Sequence, residues 1–155
     1  MLYSRSAEYA IRAFVYLAQV QTGKFAMVKQ IAEDADIPSH FLAKILQQLA
    51  RKGFLRSSKG PTGGFSLRKS AEDISMFDVI ESIDGTQEFH RCPGGMAECN
   101  DQAACGLHDS WKGLRSRIME YLETTSIADV SRAQELKKRA LEKQRKTKRS
   151  AGKKN

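Results

Sequence analysis

Cys92, Cys99 and Cys105 are the only cysteines in this 155-residue chain, and all three lie in one short stretch, HRCPGGMAECNDQAACGLHD, residues 90–109. The spacing is C-x6-C-x5-C, and His108 follows three residues after the last thiol. Thiolates and imidazoles are the protein ligands of zinc and of iron–sulfur clusters. Structural zinc sites favour C-x2–4-C knuckles, in which one ion sits on a tight turn. Gaps of six and five residues are too wide for such a knuckle. They suit a loop wrapped around something larger than one ion, with glycines that let the backbone come close to sulfides. A zinc site of irregular spacing, a redox-sensing dithiol and three unrelated thiols are the competing readings.

A loop of this kind needs elements on either side to position it. Upstream, SAEYAIRAFVYLAQV sets Ala10, Ala13, Phe14, Leu17 and Ala18 on one stripe with the i, i+3, i+4 period of an amphipathic helix, with Ser4 or Ser6 as its cap and Thr22-Gly23 as its end. Val28, Ile31, Ala32 and Ala35 make a second, short helix, which Asp36-Ile37-Pro38-Ser39 breaks. Phe41, Leu42, Ile45, Leu46 and Leu49 form the stripe of a third helix, closed by Gly53. Two short helices about a tight turn, the second polar at its N-terminal end, read as a helix-turn-helix. FLRSSKGPTGGFSLRKS then gives two short alternating runs around a Gly- and Pro-rich tip. A β-hairpin directly after a helix-turn-helix makes a winged helix. The tip is no nucleotide-phosphate loop, because it lacks GxxxxGK[ST] and lies between strands.

SMFDVIESI is a further amphipathic helix, with Phe77, Ile80 and Ile83 facing the core and Asp84-Gly85 at its end. From Asp109 a long helix carries Trp111, Leu114, Ile118, Tyr121 and Leu122 as an apolar stripe that needs a covering surface, in cis or from a second copy. Ser126 and Asp129 resemble a capping box for a last helix. Charge follows the same organisation. Residues 1–69 carry 11 Lys/Arg against 4 Asp/Glu, residues 70–135 carry 5 against 13, and residues 136–155 carry 10 against 1. A basic front, an acidic middle and a basic end point to a polyanion met by part of the chain. No apolar run approaches the roughly 20 residues of a membrane span, and MLYSRSAEYA offers no secretory core. A cytoplasmic protein is expected, in which clustered thiols stay reduced. Near the cysteines there are no paired carboxylates and no nucleophile–base set, so an enzyme and a small-molecule substrate are not expected.

In combination these segments resemble the Rrf family of bacterial winged-helix regulators. SAEYAIRAFVYLA is similar to the family's first helix, and VKQIAEDADIPSHFLAKILQQLARKGFLRSSKGPTGGFSL to its helix-turn-helix and wing with a GP-x-GG tip. SMFDVIESIDG, the three cysteines, the long helix and SIADV complete the likeness over about residues 1–132. The resemblance implies a mainly α fold with a small β-hairpin wing, a homodimer on a palindromic operator, and an iron–sulfur cluster near each dimerisation helix. It makes Cys92, Cys99 and Cys105 thiolate ligands. The fourth ligand is either His108, as in members with a histidine three residues after the last cysteine, or Glu8 of the first helix from the partner subunit. The first gap departs by one residue from the commonest form; His108 and a 2Fe–2S cluster are taken here, with Glu8 and 4Fe–4S as alternatives. His90 also lies near Cys92, but nothing in the resemblance supports it.

The resulting expectation is a DNA-binding transcriptional regulator, a repressor, switched by a cluster that senses redox state, nitric oxide or iron. Residues 1–84 form the winged helix-turn-helix, 85–108 the cluster loop, 109–135 the dimerisation helix and following segment, and 136–155 a basic tail without fixed structure. Ser39, His40, Lys44 and Gln47 face bases or phosphates in the major groove, and the wing tip Lys59, Gly60, Pro61, Thr62, Gly63 and Gly64 reaches the backbone or minor groove. The alternative is a zinc-stabilised or thiol-redox winged-helix protein that binds DNA or another partner without a cluster.

Overall fold

The computed structural model describes residues 2–102 and 105–151. The chain begins with helix α1, Arg5–Leu17, whose cap is Ser4: its hydroxyl accepts from the Ala7 amide at 3.2 Å. Ser4 also donates to Asp84 through its amide at 2.7 Å and its hydroxyl at 2.5 Å, which pins the start of α1 to the end of α4 (Met76–Asp84). α2 (Val28–Asp34) and α3 (Ser39–Arg51) are the two helices of the helix-turn-helix. Between them Asp36 adopts φ 52°, a left-handed conformation that aspartate tolerates better than most residues. The Arg12 guanidinium donates to the Ala35 and Asp36 carbonyls. A cation at the C-terminus of α2 satisfies orphan carbonyls and complements the helix dipole, so α1 holds the turn that sets the angle of α3.

After α3 the chain turns at Gly53, φ 82°, into strands β1 (Leu55–Ser58) and β2 (Gly64–Leu67). They pair antiparallel with Leu55 opposite Leu67 and Ser57 opposite Phe65. This register turns Leu55 and Phe65 into the core and Arg56 and Ser66 to the other face. Ala26 adds a third short rung by exchanging two backbone hydrogen bonds with Phe65, each 2.9 Å. Gly64 is required at that rung: it has φ 142°, and a Cβ there would meet the Ala26 carbonyl oxygen at 2.1 Å.

α4 is capped by Ser75 and Asp78, each side chain bonding the other's amide, and ends at Gly85, φ 75°. Val79 and Ile80 of α4 are fully buried. A short α5 (Gln87–His90) precedes the cysteine loop, and α6 (His108–Thr124) and α7 (Ile127–Ala151) follow it. The expected Ser126–Asp129 box caps α7. The segment between α6 and α7 returns to the winged helix. Met76 donates to the Thr125 carbonyl at 2.9 Å and Ile127 to the Ile74 carbonyl at 2.8 Å. Leu122 and Ile127 join Phe14, Ile31, Leu42, Leu46, Leu49 and Ile80 in one core. The long helix therefore folds back in cis at its C-terminal end, while Leu114 and Tyr121 stay more than half exposed.

Three local expectations differ from the structure. α1 ends at Leu17, with turns from Ala18 on, rather than running to Thr22-Gly23. Phe41 is not on the buried stripe of α3 but 51% exposed, lying against the His40 ring at 4.2 Å between centroids. One residue before Leu42, it is rotated about 100° around the helix, and Leu42, Ile45, Leu46 and Leu49 fill the core without it. The basic C-terminal segment was expected to lack structure; α7 instead continues through it to Ala151. Its Ala, Leu, Glu, Lys, Arg and Gln are strong helix formers, no Gly or Pro interrupts it, and Glu135 bonds Arg139 at 3.0 Å at the i,i+4 spacing. Residues 152–155 lie outside the described residues. No helix among the described residues is long and apolar enough to cross a membrane.

Candidate metal centre and nucleic-acid interface

The cysteine loop is short of backbone regularity and rich in turns, and two anchors close it: α5 at one end and the first turn of α6 at the other. The Cys105 carbonyl accepts from the His108 amide at 3.0 Å, which sets the thiol and the imidazole on one turn. Cys92 Sγ lies 3.5 Å from Cys105 Sγ, and Cys99 Sγ lies 3.5 Å from His108 Nδ1. The four donors named from sequence and resemblance are thus neighbours in two pairs, separated in sequence by 13 and 9 residues. Gly94 makes the first pair possible, since a Cβ there would meet Cys105 Sγ at 2.7 Å and Cys92 Sγ at 3.7 Å. The Cys92 thiol is held below its ordinary pKa, first by a hydrogen bond from the Met96 backbone, then by Cys105, the Gly94 backbone and Cys99, against a desolvation cost. A lowered thiol pKa favours the thiolate, the form that ligates metal.

His108 is buried, its side chain 7% exposed, unlike the exposed N-terminal histidine that its place at a helix start would allow. Its Nε2 lies 2.9 Å from Asp101 Oδ1. Lys112 Nζ, one turn along α6, donates to both Asp101 oxygens at 2.7 and 3.0 Å. Lys112 first and His108 second hold the Asp101 carboxyl below the usual carboxylate range. Neither Asp101 nor Lys112 was singled out by sequence. The signal that could have found them is the i,i+4 step from His108 to Lys112 on a helix, with a carboxylate in the preceding loop.

Among the described residues no group of three or more Cys, His, Asp or Glu side chains is gathered to hold one metal ion. The donor set still fits an iron–sulfur cluster by its chemistry: three thiols, one of them eased toward thiolate, and a buried imidazole whose far nitrogen is occupied. Glu8 stands elsewhere in this chain, on α1, 3.6 Å from Arg12. His90 is exposed at the end of α5 and joins neither pair.

The second candidate surface is built by α3 and the wing. Ser39, His40, Lys44 and Gln47 are all exposed, on the side of α3 away from Leu42, Ile45, Leu46 and Leu49. Arg51 and Lys52 extend this face toward the wing. At the wing tip Lys59, Gly60, Pro61 and Thr62 are exposed, whereas Gly63 is buried and Gly64 half-buried. Those last two glycines therefore serve hairpin packing rather than a free contact surface. Phe41, missed as a surface residue, lies beside His40 at the N-terminal end of α3.

Residues 3–133 match the Rrf2 family profile, described as an iron-dependent transcriptional regulator. A chain of Aquifex aeolicus (strain VF5), named a candidate HTH-type transcriptional regulator, is 34% identical over 137 residues, covering 87% of this chain and 94% of that one. The HTH-type transcriptional regulator IscR of Vibrio atlanticus (strain LGP32) is 26% identical over 136 residues, covering 88% and 78%. Among solved structures, CymR, the global cysteine regulator of B. subtilis, superposes with a TM-score of 0.70 at 22% identity over 84% of this chain and 95% of that one. T. potens IscR does so with a TM-score of 0.68 at 22% identity, over 84% and 85%. Both share the fold described above.

Proposed function

From the premise that this chain belongs to the Rrf2 family of DNA-binding transcriptional regulators, and is not an enzyme, we propose that its operator binding is switched by an iron–sulfur cluster held by Cys92, Cys99, Cys105 and His108. The observation that carries this reading is that the three thiols and a buried imidazole stand as two close pairs, Cys92 with Cys105 and Cys99 with His108, at the foot of α6. A relative named IscR and a family described as iron-dependent support it. When bound, a cluster of the 2Fe–2S type supplies one-electron redox chemistry and sensitivity to oxidants and nitric oxide.

The rest of the mechanism belongs to the chain. Cys92, Cys99 and Cys105 give up their thiol protons as they become ligands, and His108 contributes a neutral nitrogen. Ligated, the four residues tie the loop after α5 to the first turn of α6. Unligated, the loop keeps only its hydrogen bonds to that turn, those of His108 and Lys112 to Asp101 among them, and loses the metal bridge. α6 reaches the core through Leu122 and leaves Leu114 and Tyr121 exposed, which supports pairing with a second copy along this helix. A shift of α6 would then change the spacing of two α3 helices across a palindromic operator, where half-sites lie about one turn apart. Ser39, His40, Lys44 and Gln47 would read the major groove, and Lys59 to Thr62 would meet the backbone or minor groove. A cytoplasmic setting and a repressor role complete the proposal, with Glu8 of a partner subunit as the alternative fourth ligand.

One observation favours a second reading. Cys92 and Cys105 at 3.5 Å are close enough for a thiol switch without a cluster. Operator titrations of cluster-loaded and apo protein, anaerobic and at matched salt, separate them. A differential affinity that depends on iron is expected, because a ligand shifts a two-state equilibrium only through its differential affinity for the two states. Equal affinity of the two forms, with a change only on thiol oxidation, would transfer the switch to the dithiol.

A further inference from the structure

We infer that Asp101, clamped by Lys112, is a positioning residue that commits His108 to offer Nδ1, and not Nε2, as its ligating atom. The inference rests on the cluster reading above, but its geometry stands by itself. Asp101 Oδ1 is 2.9 Å from His108 Nε2, and an ionised carboxylate can only accept hydrogen bonds. Nε2 must therefore carry a proton in that contact. In the neutral ring this leaves the lone pair on Nδ1, the atom 3.5 Å from Cys99 Sγ. The ring has little freedom to turn over, since its side chain is 7% exposed.

Asp101 is itself 72% exposed, on a loop, and would not keep a fixed carboxylate orientation without help. Lys112 supplies it by donating to both oxygens, at 2.7 and 3.0 Å, from the helix that His108 begins. Ligand, carboxylate and ammonium thus form a closed ring of contacts between the loop and the first turn of α6. Outer partners of this kind fix the tautomer and orientation of metal-binding histidines. Nothing in the spacing of the cysteines indicates Asp101 or Lys112. Their role follows only from the folded path of the loop.

Two measurements on the full-length chain test the inference. In apo protein labelled with 15N-histidine, at about pH 8 where histidine is ordinarily neutral, long-range 1H–15N spectra report the tautomer of His108. The Nε2-protonated form is expected in wild type, a mixture of tautomers in Asp101→Ala, and return of the single form in Asp101→Glu. In cluster-loaded protein, Asp101→Ala is expected to release iron to a chelator about 10- to 100-fold more readily, with Lys112→Gln intermediate and Asp101→Glu near wild type. A wild-type His108 protonated at Nδ1 would overturn the assignment, as would an Asp101→Ala variant with unchanged tautomer and unchanged iron release. Should the wild-type chain take up no iron, the cluster reading falls, while the apo spectra still decide the tautomer.

Discussion

Gly94 carries no side chain, and its position leaves no room for one, since a Cβ would come within 2.7 Å of Cys105 Sγ. Gly94→Ala is therefore expected to part Cys92 from Cys105 and lower the iron retained after anaerobic reconstitution, as measured by iron assay. Thermal unfolding of the winged helix should hold, because surface changes away from the core usually stay within about 0.5 kcal/mol. A second residue-scale prediction concerns Asp129. The Ser126 hydroxyl, Arg132 and the Ser126 amide hold its carboxyl at about 2, below the ordinary 3.8. A depressed folded-state pKa means that the cap of α7 is in place above about pH 4 and is lost as pH falls through about 2. Amide exchange in the first turn of α7 should accelerate over that window, and Asp129→Asn should remove the step. At this scale the candidate donors were legible because cysteine and histidine announce their chemistry by type. Asp101 and Lys112 were not, because carboxylates and lysines are common and only the folded loop brings these two to His108.

Helices α1 to α4 and the hairpin could be read from sequence because local signals agree there. Apolar spacing, the Ser4 cap and the Gly53 and Gly85 stops agree with the observed elements, except at the end of α1. Phe41 escaped that reading, since spacing alone cannot tell a residue at the edge of a stripe from one inside it. Gly64 carries a prediction for the wing: Gly64→Ala would drive a Cβ into the Ala26 carbonyl and should dislodge the hairpin, costing operator affinity while α1 to α3 stay helical by circular dichroism. Lys44 carries one for α3. Lys44→Ala should weaken operator binding and lower the salt slope by about 1 if the lysine meets a phosphate; unchanged affinity would count against this docking. The end of α7 was misread because charge density suggested a solvated coil, whereas helix propensity favours continuation. Residues 142–155 hold seven Lys/Arg and one Glu. Removing them should flatten the salt dependence of non-specific DNA binding by about 0.9 for each phosphate that is no longer neutralised.

Across the whole molecule, one helix links the cysteine loop, an exposed apolar face and the winged-helix core. α6 begins with His108 at the cysteine loop, exposes Leu114 and Tyr121 along its length, and ends with Leu122 in the core of the DNA-reading body. That continuity is what would let a change at the loop reach α3, and it was invisible to sequence, which left open whether the long helix folds back in cis. The proposed switch stands on an iron–sulfur cluster held by Cys92, Cys99, Cys105 and His108. Its most direct measurement is anaerobic purification of the full chain with a visible spectrum and assays for iron, zinc and acid-labile sulfide. A brown protein with about two irons and two sulfides per chain is predicted, as a 2Fe–2S site requires. A colourless protein with zinc, or with no metal and three free thiols, would contradict it.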